Sequence, residues 1–415
     1  MDFANSINTP LDIETLKVVS QEIDNKGEIT INVLSRKNYG SCHICGKSAT
    51  KSNGTAPERV VRHLPIFGKA VYLRITPIRY SCDDCDHHPT TTEQYDWCER
   101  YASVTKKLET YLMRSLIHST IEDVAKKESI GLKIIQSVLD RKIKKEVDWS
   151  KIKDIETLGI DEISLKKGHQ SYVTIISSKS KNSELAVIGV FQGRSKEKVK
   201  SFLKSIPSNL KKTIKSVCTD MYDGFVNAVV EVLGPKILVI DRYHVARLYR
   251  KPLDKLRVKE MARLKSKLPK KEYEKLEGMM WILRRKHECL TDQDKTKLKL
   301  LYKHSPKLKA AHKYALQLTH IFNTYTSKKN AMAKISRWIV KIGKSDVRCF
   351  DSFIVTLKKY KSYIGNYFNK RKTSGFVEGL NNKIKTAKRR CYGFIKTETI
   401  FQRLYLDLQG FGLYI

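Results

Sequence analysis

Three runs, LGIDEISL (158–165), SYVTIISS (171–178) and ELAVIGVF (184–191), follow one another closely and decide the fold. Each is rich in β-branched residues and short enough to be one strand. A helix is expected over 196–206, where Val199, Phe202, Leu203 and Ile206 share a face. A strand (KSVCTD, 215–220), a helix (224–233) and a further strand (KILVID, 236–241) come next. Three adjacent strands, then helix, strand, helix and strand, predict a mixed α/β layer whose later strands run parallel. The stretches 216–218 and 237–240 are nearly continuously apolar, as strands buried on both faces are.

Outward from this layer the texture changes on both sides. Upstream, EITINVL (28–34) reads as a strand, and a cysteine block runs from Cys42 to Cys98. Residues 103–145 carry apolar residues at helical spacing: Leu108, Leu112 and Leu116, then Ile121, Val124 and Ala125, then Ile134, Ile135, Val138 and Leu139. A turn at 129–131 separates the second helix from a third, basic one that carries Lys133, Arg141 and Lys142. Such a pair resembles a helix-turn-helix, and these three cations are its candidate DNA contacts. Downstream, 245–370 is Lys-rich and helical, with a stripe of Leu308, Ala311, Ala315, Leu318 and Phe322 that reads as core. A last helix is expected over 374–390, followed by a short aromatic C-terminal segment.

The net charge of +37 across 415 residues is unevenly spread. Residues 1–100 hold 12 Lys and Arg against 13 Asp and Glu, whereas 101–415 hold 68 against 30. An excess of that size on folded segments draws a polyanion and releases its counterions, which points to nucleic acid. The hydrophobic share of 41% fits a globular chain, and no apolar run approaches the ~20 residues a bilayer needs, so no membrane partner is expected. No signal peptide is legible, so a cytoplasmic, nucleoid-associated setting is expected, with the nine cysteines as thiols or metal ligands.

Cys42-His-Ile-Cys45 and Cys82-Asp-Asp-Cys85 are paired CxxC knuckles. Four thiolates in two knuckles close a tetrahedral Zn²⁺ site, whereas a redox CxxC would not come twice at this spacing. The strand-like stretch 70–76 between them suggests a zinc ribbon. His63, His87, His88 and Cys98 are near enough in sequence to join, although a surface role suits each better. Cys218, Cys289, Cys349 and Cys391 read as plain thiols.

Asp161 lies in or at the end of the first strand, Asp220 closes the fourth and Asp241 the fifth. Acids at strand ends project into a shared crevice, where carboxylates can hold Mg²⁺ (or Mn²⁺) for phosphodiester chemistry. Singly, an Asp at a strand end is more often a turn-former or helix cap. Glu162, next to Asp161, is expected on the opposite face.

Several segments together resemble the DDE transposases of bacterial insertion sequences, specifically the zinc-finger-bearing ISL-three family. They are the CxxC pair, GIDEISLKKGHQSYVTII (159–176), VCTDMYDGF (217–225), VIDRYHVARL (239–248), NYFNKRKTSGFVEGLNNKIKTAKRRCYGF (366–394) and FQRL (401–404). The resemblance implies a ribonuclease-H-like catalytic domain with a triad falling on Asp161, Asp220 and Glu378, all three as Mg²⁺ ligands. Asp241 becomes a supporting or alternative acid. On the last helix, Glu378 shares a face with Asn381, Asn382 and Lys385, which together with Lys388, Arg389 and Arg390 are the implied DNA contacts.

The fold expected is thus multidomain α/β. An N-terminal domain (1–100) carries the zinc-ribbon-like module (about 40–90), and a helix-turn-helix follows (101–150). A ribonuclease-H-like α/β domain (151–245 and 371–415) is interrupted by an all-α insertion (246–370), in which Trp281 and Trp338 could stack an unpaired base or simply be core. The implied function is DNA transposition: binding of terminal inverted repeats, metal-dependent strand cleavage, and strand transfer into target DNA by a homodimer or larger assembly. A catalytically silent DNA-binding regulator of the same descent is the alternative, and an RNA-processing protein a third reading.

Overall fold

The computed structural model describes residues 10–164, 172–369, 371, 375–390 and 397–415. Cys391 and the motif stretches 165–171, 370, 372–374 and 391–396 lie outside the described residues. The chain forms two compact units, Met1–Lys144 with Tyr405–Ile415, and Lys145–Leu404.

In the first unit, β1 (Leu16–Ile23), β2 (Ile29–Ser35), β6 (Arg59–Ile66) and β7 (Lys69–Ile75) form a sheet in the order β1-β2-β7-β6. Period-two alternation puts Ile29, Ile31 and Val33 of β2 and Val71, Leu73 and Ile75 of β7 into one core. The cysteine knuckles hang on smaller pieces. β3 (Gly40–Ser41) pairs with β4 (Ser48–Ala49), and β5 (Lys51–Thr55), β8 (Ile78–Ser81) and β9 (Thr90–Thr92) form a three-stranded sheet. The strand expected over 70–76 is β7, which pairs with β2 and β6 in the larger sheet.

Three helices complete this unit: α1 (Lys106–Leu116), α2 (Ile121–Glu128) and α3 (Leu132–Lys142). Thr105 and Thr120 cap the first two by accepting from Leu108 N and Asp123 N. Ser129, left-handed at φ 51°, ends α2, and Gly131 starts α3. Leu108, Leu112, Leu116, Val124, Ile135 and Leu139 fill the centre. Within it Glu109 is wholly buried, and Arg141 Nη2 and Lys142 Nζ reach its carboxylate at 2.5 and 3.0 Å. Both cations, read from sequence as DNA contacts, thus hold α3 to α1. Glu109→Ala is expected to destabilise this unit by about 1–3 kcal/mol, less than the ~3–5 of a fully enclosed pair because both cations are partly exposed. Urea unfolding followed by helical circular dichroism measures it.

In the second unit, β10 (Thr157–Ser164), β11 (Tyr172–Lys179), β12 (Leu185–Gln192), β13 (Ser216–Thr219) and β14 (Leu238–Ile240) form one sheet in the order β12-β11-β10-β13-β14. The first three strands are an antiparallel meander, and β13 and β14 continue from β10 in parallel. Every residue of β13 and β14 is buried, as the continuous apolar runs require. The connecting helices are α4 (Lys196–Ser205), capped by Ser195, the short α5 (Ser208–Lys211) and α6 (Asp223–Leu233), with α4 packed against α6.

From Arg242 to Asn369 the chain is helical, with no strand among these residues. The helices are α7 (Arg242–Lys267), α8 (Lys270–Glu274), α9 (Met279–Ile282), α10 (Asp292–His304), α11 (Pro306–Asn323), α12 (Lys328–Gly343), α13 (Asp351–Lys359) and α14 (Lys361–Asn366). The stripe Leu308, Ala311, Ala315, Leu318 and Phe322 is buried, and its core is continuous with that of the sheet. Trp338 is buried and donates Nε1 to Tyr314 O at 2.9 Å, a core role, whereas Trp281 is 60% exposed. Buried Asn366 donates Nδ2 to Leu238 O at 2.6 Å and so covers the outer edge of β14.

The chain returns to the sheet as α15 (Gly375–Arg390), which crosses β10 at Gly159. A Cβ at 159 would lie 2.2 Å from Val377 Cγ2 and 2.8 Å from Ser177 Oγ, so only glycine admits the helix at this depth. Gly159→Ala is expected to cost about 1–3 kcal/mol by overpacking, read as a lower thermal midpoint. Adding Val377→Ala removes the nearest obstruction and should recover part of the loss. The C-terminal segment is longer than its sequence suggested. It is the 18-residue helix α16 (Thr397–Tyr414), in which Ile400, Phe401, Leu404 and Leu406 are buried.

Candidate functional site

Ile160 of β10 is in register with Thr219 of β13, and Thr219 with Ile240 of β14. Asp161, Asp220 and Asp241 therefore stand one residue beyond a single row across three neighbouring strands, about 4.8 Å apart from strand to strand. Gly159 and Asp161 share the sheet face that α15 covers, since strand residues two apart point the same way.

Both oxygens of Asp161 are occupied. Oδ1 accepts from Glu162 N at 2.7 Å, and Oδ2 accepts from Asn381 Nδ2, one helical turn after Glu378. Asn381 is thus a buried partner of Asp161, where the sequence had suggested a DNA contact. Asp220 Oδ1 accepts from Tyr222 N at 3.0 Å. Burial pushes the Asp220 carboxyl up, against the pull of the Tyr222 amide and the charge of His244, and the neighbouring charge of Asp161 raises it further. Asp241 is buried and caps α7, its Oδ1 accepting from Tyr243 N at 3.1 Å, with His244 Nε2 3.9 Å from Oδ2.

Glu162, expected on the opposite face from Asp161, and Arg194, which sequence reading left out, both have charges that reach these acids. Glu162 is raised by burial, against the pull of Arg194, and the charges of Asp220 and Asp161 reach it. Arg194 Nη1 lies 3.2 Å from its carboxylate, with the guanidinium over the Tyr172 and Tyr222 rings at 4.4 and 4.8 Å. No local pattern marks Arg194, because its acidic partner is 32 residues away.

Glu378 is exposed on α15, next to the buried Val377. Among the described residues, the group gathered closely enough to hold a metal ion is the four cysteines Cys42, Cys45, Cys82 and Cys85. Asn382, Lys385 and Arg389 are exposed on the same helix, while Lys388 Nζ donates to Ser164 O at 3.0 Å. Lys133 is exposed at the start of α3.

In the first unit, Cys42 faces Cys85 at 3.9 Å and Cys45 faces Cys82 at 3.7 Å, with all four sulfurs within 4.8 Å. A regular tetrahedron of sulfurs ~2.3 Å from zinc has edges of about 3.8 Å, so the cluster has the size that ion requires. The β3–β4 hairpin presents the first knuckle, where Gly46 turns at φ 73° and its N–H returns to Cys42 O at 2.9 Å. Amides of the knuckle, Cys45 first and then Ile44, lower the Cys42 thiol to about 7, whereas contact with Cys45 pushes Cys85 up to about 12. The other candidate ligands have different roles. Buried His63 bonds Thr105 Oγ1 at 2.9 Å, His88 Nδ1 lies 3.1 Å from Cys82 O, and Cys98 donates to Ala102 O at 3.5 Å.

The sheet with aspartates on three neighbouring strands and the four-cysteine cluster thus stand in one chain. A transposase family of the ISL3 type matches residues 158–404, and the zinc finger of transposases IS204/IS1001/IS1096/IS1165 matches residues 39–85. The chain belongs to the ISL3 family of insertion-sequence transposases. It is similar to the transposase for insertion sequence element IS1001 of Bordetella parapertussis, 27% identical over 89% of each chain. It also resembles the transposase for IS1557 of Mycobacterium tuberculosis, 22% identical over 89% of this chain and 86% of that one. Among solved structures, the Drosophila P element transposase strand transfer complex matches 74% of this chain and 92% of its own at 11% identity and a TM-score of 0.40. A likeness of that degree carries no inference. No helix among the described residues is long and apolar enough to cross a membrane.

Proposed function

We propose that this transposase binds the terminal inverted repeats of its element and cuts a DNA strand there with Asp161, Asp220 and Glu378, the freed 3′-hydroxyl then attacking target DNA. The observation that carries this reading is the register, which sets Asp161, within β10, beside Asp220, one residue past the end of β13, with Asn381 of the helix that bears Glu378 on Asp161. The strand order β12-β11-β10-β13-β14, three antiparallel and two parallel, supports a ribonuclease-H-like layer, with the helices between β14 and α15 as its insertion.

The donor set is all oxygen, and burial, with the charge of Asp161 added, raises Asp220, as suits carboxylates that a hard divalent cation would relieve. Mg²⁺ or Mn²⁺ held there would supply the positive charge that lets water or a 3′-hydroxyl attack phosphorus and the leaving oxygen depart. The protein's own part is positioning. Asn381 fixes the rotamer of Asp161, Asp241 anchors the start of α7 and thereby His244, and α15 brings Glu378 over the strand ends. Lys133, Asn382, Lys385, Lys388, Arg389 and Arg390 are the proposed DNA contacts. Arg141 and Lys142 keep that role only where their link to Glu109 leaves donors to spare. The cysteine cluster holds Zn²⁺ and shapes a DNA-binding module together with α2 and α3, read as a helix-turn-helix. Joining two element ends calls for a homodimer or larger assembly on DNA.

Purified protein, Mg²⁺ and a labelled element-end duplex test this directly. Site-specific nicking by wild type that is absent in Glu378→Gln supports the enzyme. Tight binding with no nicking by either would identify the silent regulator instead.

A further inference from the structure

A cavity of about 600 Å³ opens among α7, α9 and α11, within the second unit and apart from the acid row. Eight of its lining side chains are Arg or Lys, and one, Asp254, is acidic. Asp254 is already shared by Arg257 at 2.8 Å and Arg284 at 3.2 Å, and Arg285 is held by Asp294 at 3.0 Å. Arg247, Arg250, Lys251 and Lys286 have no carboxylate within ion-pair distance among the described residues. Four unmatched cations around one mouth make a strong local field for an anion. The rest of the lining is mixed: Leu253, Leu283 and Ala315 are buried and Met280 and Leu316 extend an apolar surface, while Tyr249, His312, Thr319 and Asn323 add polar groups.

Exposed cations beside a lining of apolar and hydrogen-bonding side chains suit a ligand with a phosphate at one end and a flat body with a polar edge at the other. The volume is that of a small-molecule site, too small for a duplex. The first turns of α7 also border the acid row. His244 faces Asp220 by its charge, while Arg242, Tyr243 and Arg247 line the cavity. Arg247 comes three positions after His244, about 4.5 Å along the helix axis. A strand engaged at Asp161 and Asp220 therefore needs to extend only a short way to reach the opening.

We propose that this cavity binds a single unpaired nucleotide, its phosphate held by Arg247, Arg250, Lys251 and Lys286 and its base laid against Leu283 and Leu316. The proposal rests on the DNA-cutting reading only for its source, a nucleotide turned out of the strand near the cut. A free nucleotide has the same chemistry. Two probes distinguish them: element-end duplexes carrying 2-aminopurine at one position each, and the fluorescent free nucleotide mant-dATP. With wild type, 2-aminopurine emission is expected to rise at one or two adjacent positions only.

Leu316→Trp, which fills the cavity without removing a cation, should abolish the rise, and so should Arg250→Glu with Lys286→Glu. The charge reversal should also weaken duplex binding by about tenfold or more through lost phosphate contacts. Lys313→Glu, exposed on α11 away from the lining, should keep the rise, and a wild-type thermal midpoint shows that each variant folds. Binding of mant-dATP that both cavity variants lose, with no rise on DNA, assigns the pocket to a free nucleotide. Wild type that binds and nicks the duplex with neither signal overturns the pocket and spares the enzyme reading, as does a rise that survives Leu316→Trp. Wild type that binds neither probe overturns both.

Discussion

Asp220→Asn is expected to reduce strand nicking about a thousandfold or more while leaving affinity for the element-end duplex within about threefold, because cation stabilisation of a transferring phosphoryl group is worth several kcal/mol and each ~1.4 kcal/mol is tenfold. Asp220 sits one residue past β13, beside Asp161, in a half-buried position where the Tyr222 amide fixes its carboxylate. The amide of Asn keeps that acceptor and the volume but brings no charge to hold a divalent cation. Asp161→Asn and Glu378→Gln should fall equally far, and a double variant little further, since residues that act as one unit are not additive. Asp241→Asn separates roles. An N-cap survives as Asn, so nicking should drop much less, while Asp241→Ala should lose about 1 kcal/mol of stability with the cap. A gel assay with end-labelled duplex and a fluorescence anisotropy titration give the two readouts.

Removing zinc is expected to have the second large effect, confined to the first unit. The four sulfurs hold together pieces too small to fold by themselves: a two-stranded hairpin and a three-stranded sheet whose strand β5 is exposed throughout. Small zinc modules draw about 10–16 kcal/mol of apparent binding free energy from the ion at neutral pH, far more than so little buried apolar surface supplies. Cys42→Ser or Cys82→Ser should abolish the metal content, read by mass spectrometry as one zinc per chain in wild type. Proteolysis should then cut between residues 40 and 90. Cys98→Ser should keep the zinc, since that thiol bonds the carbonyls of Ala102 and Val104. Zinc retained in Cys42→Ser would contradict the assignment.

The sheet and two of its acids were legible because their signals are local. Short β-branched runs and double-faced apolar strands mark β10 to β14, and an acid at the end of such a strand is visible by position alone. Glu378 is different. It is an exposed residue on an ordinary amphipathic helix, and its proposed role rests on the motif around it rather than on periodicity.

Long-range pairing hid the rest. Glu109 is the one acid of α1, and nothing in its neighbourhood reveals that Arg141 and Lys142, 32 and 33 residues on, close over it. Arg194 escaped notice for the same reason. The C-terminal helix was underestimated because Gly410 and Gly412 lower helix propensity. A Cβ at Gly410 would meet Ile117 Cγ1 at 2.9 Å, so close packing requires glycine there.

The most direct measurement is a crystal of the protein with its element-end duplex and Mn²⁺, with metal located by anomalous scattering. The expected result is density between Asp161 and Asp220 with Glu378 as a further ligand, the α15 carboxylate having moved in from its exposed position. Metal bound at the strand ends with Glu378 still facing solvent, or no metal there with DNA in place, would contradict the account.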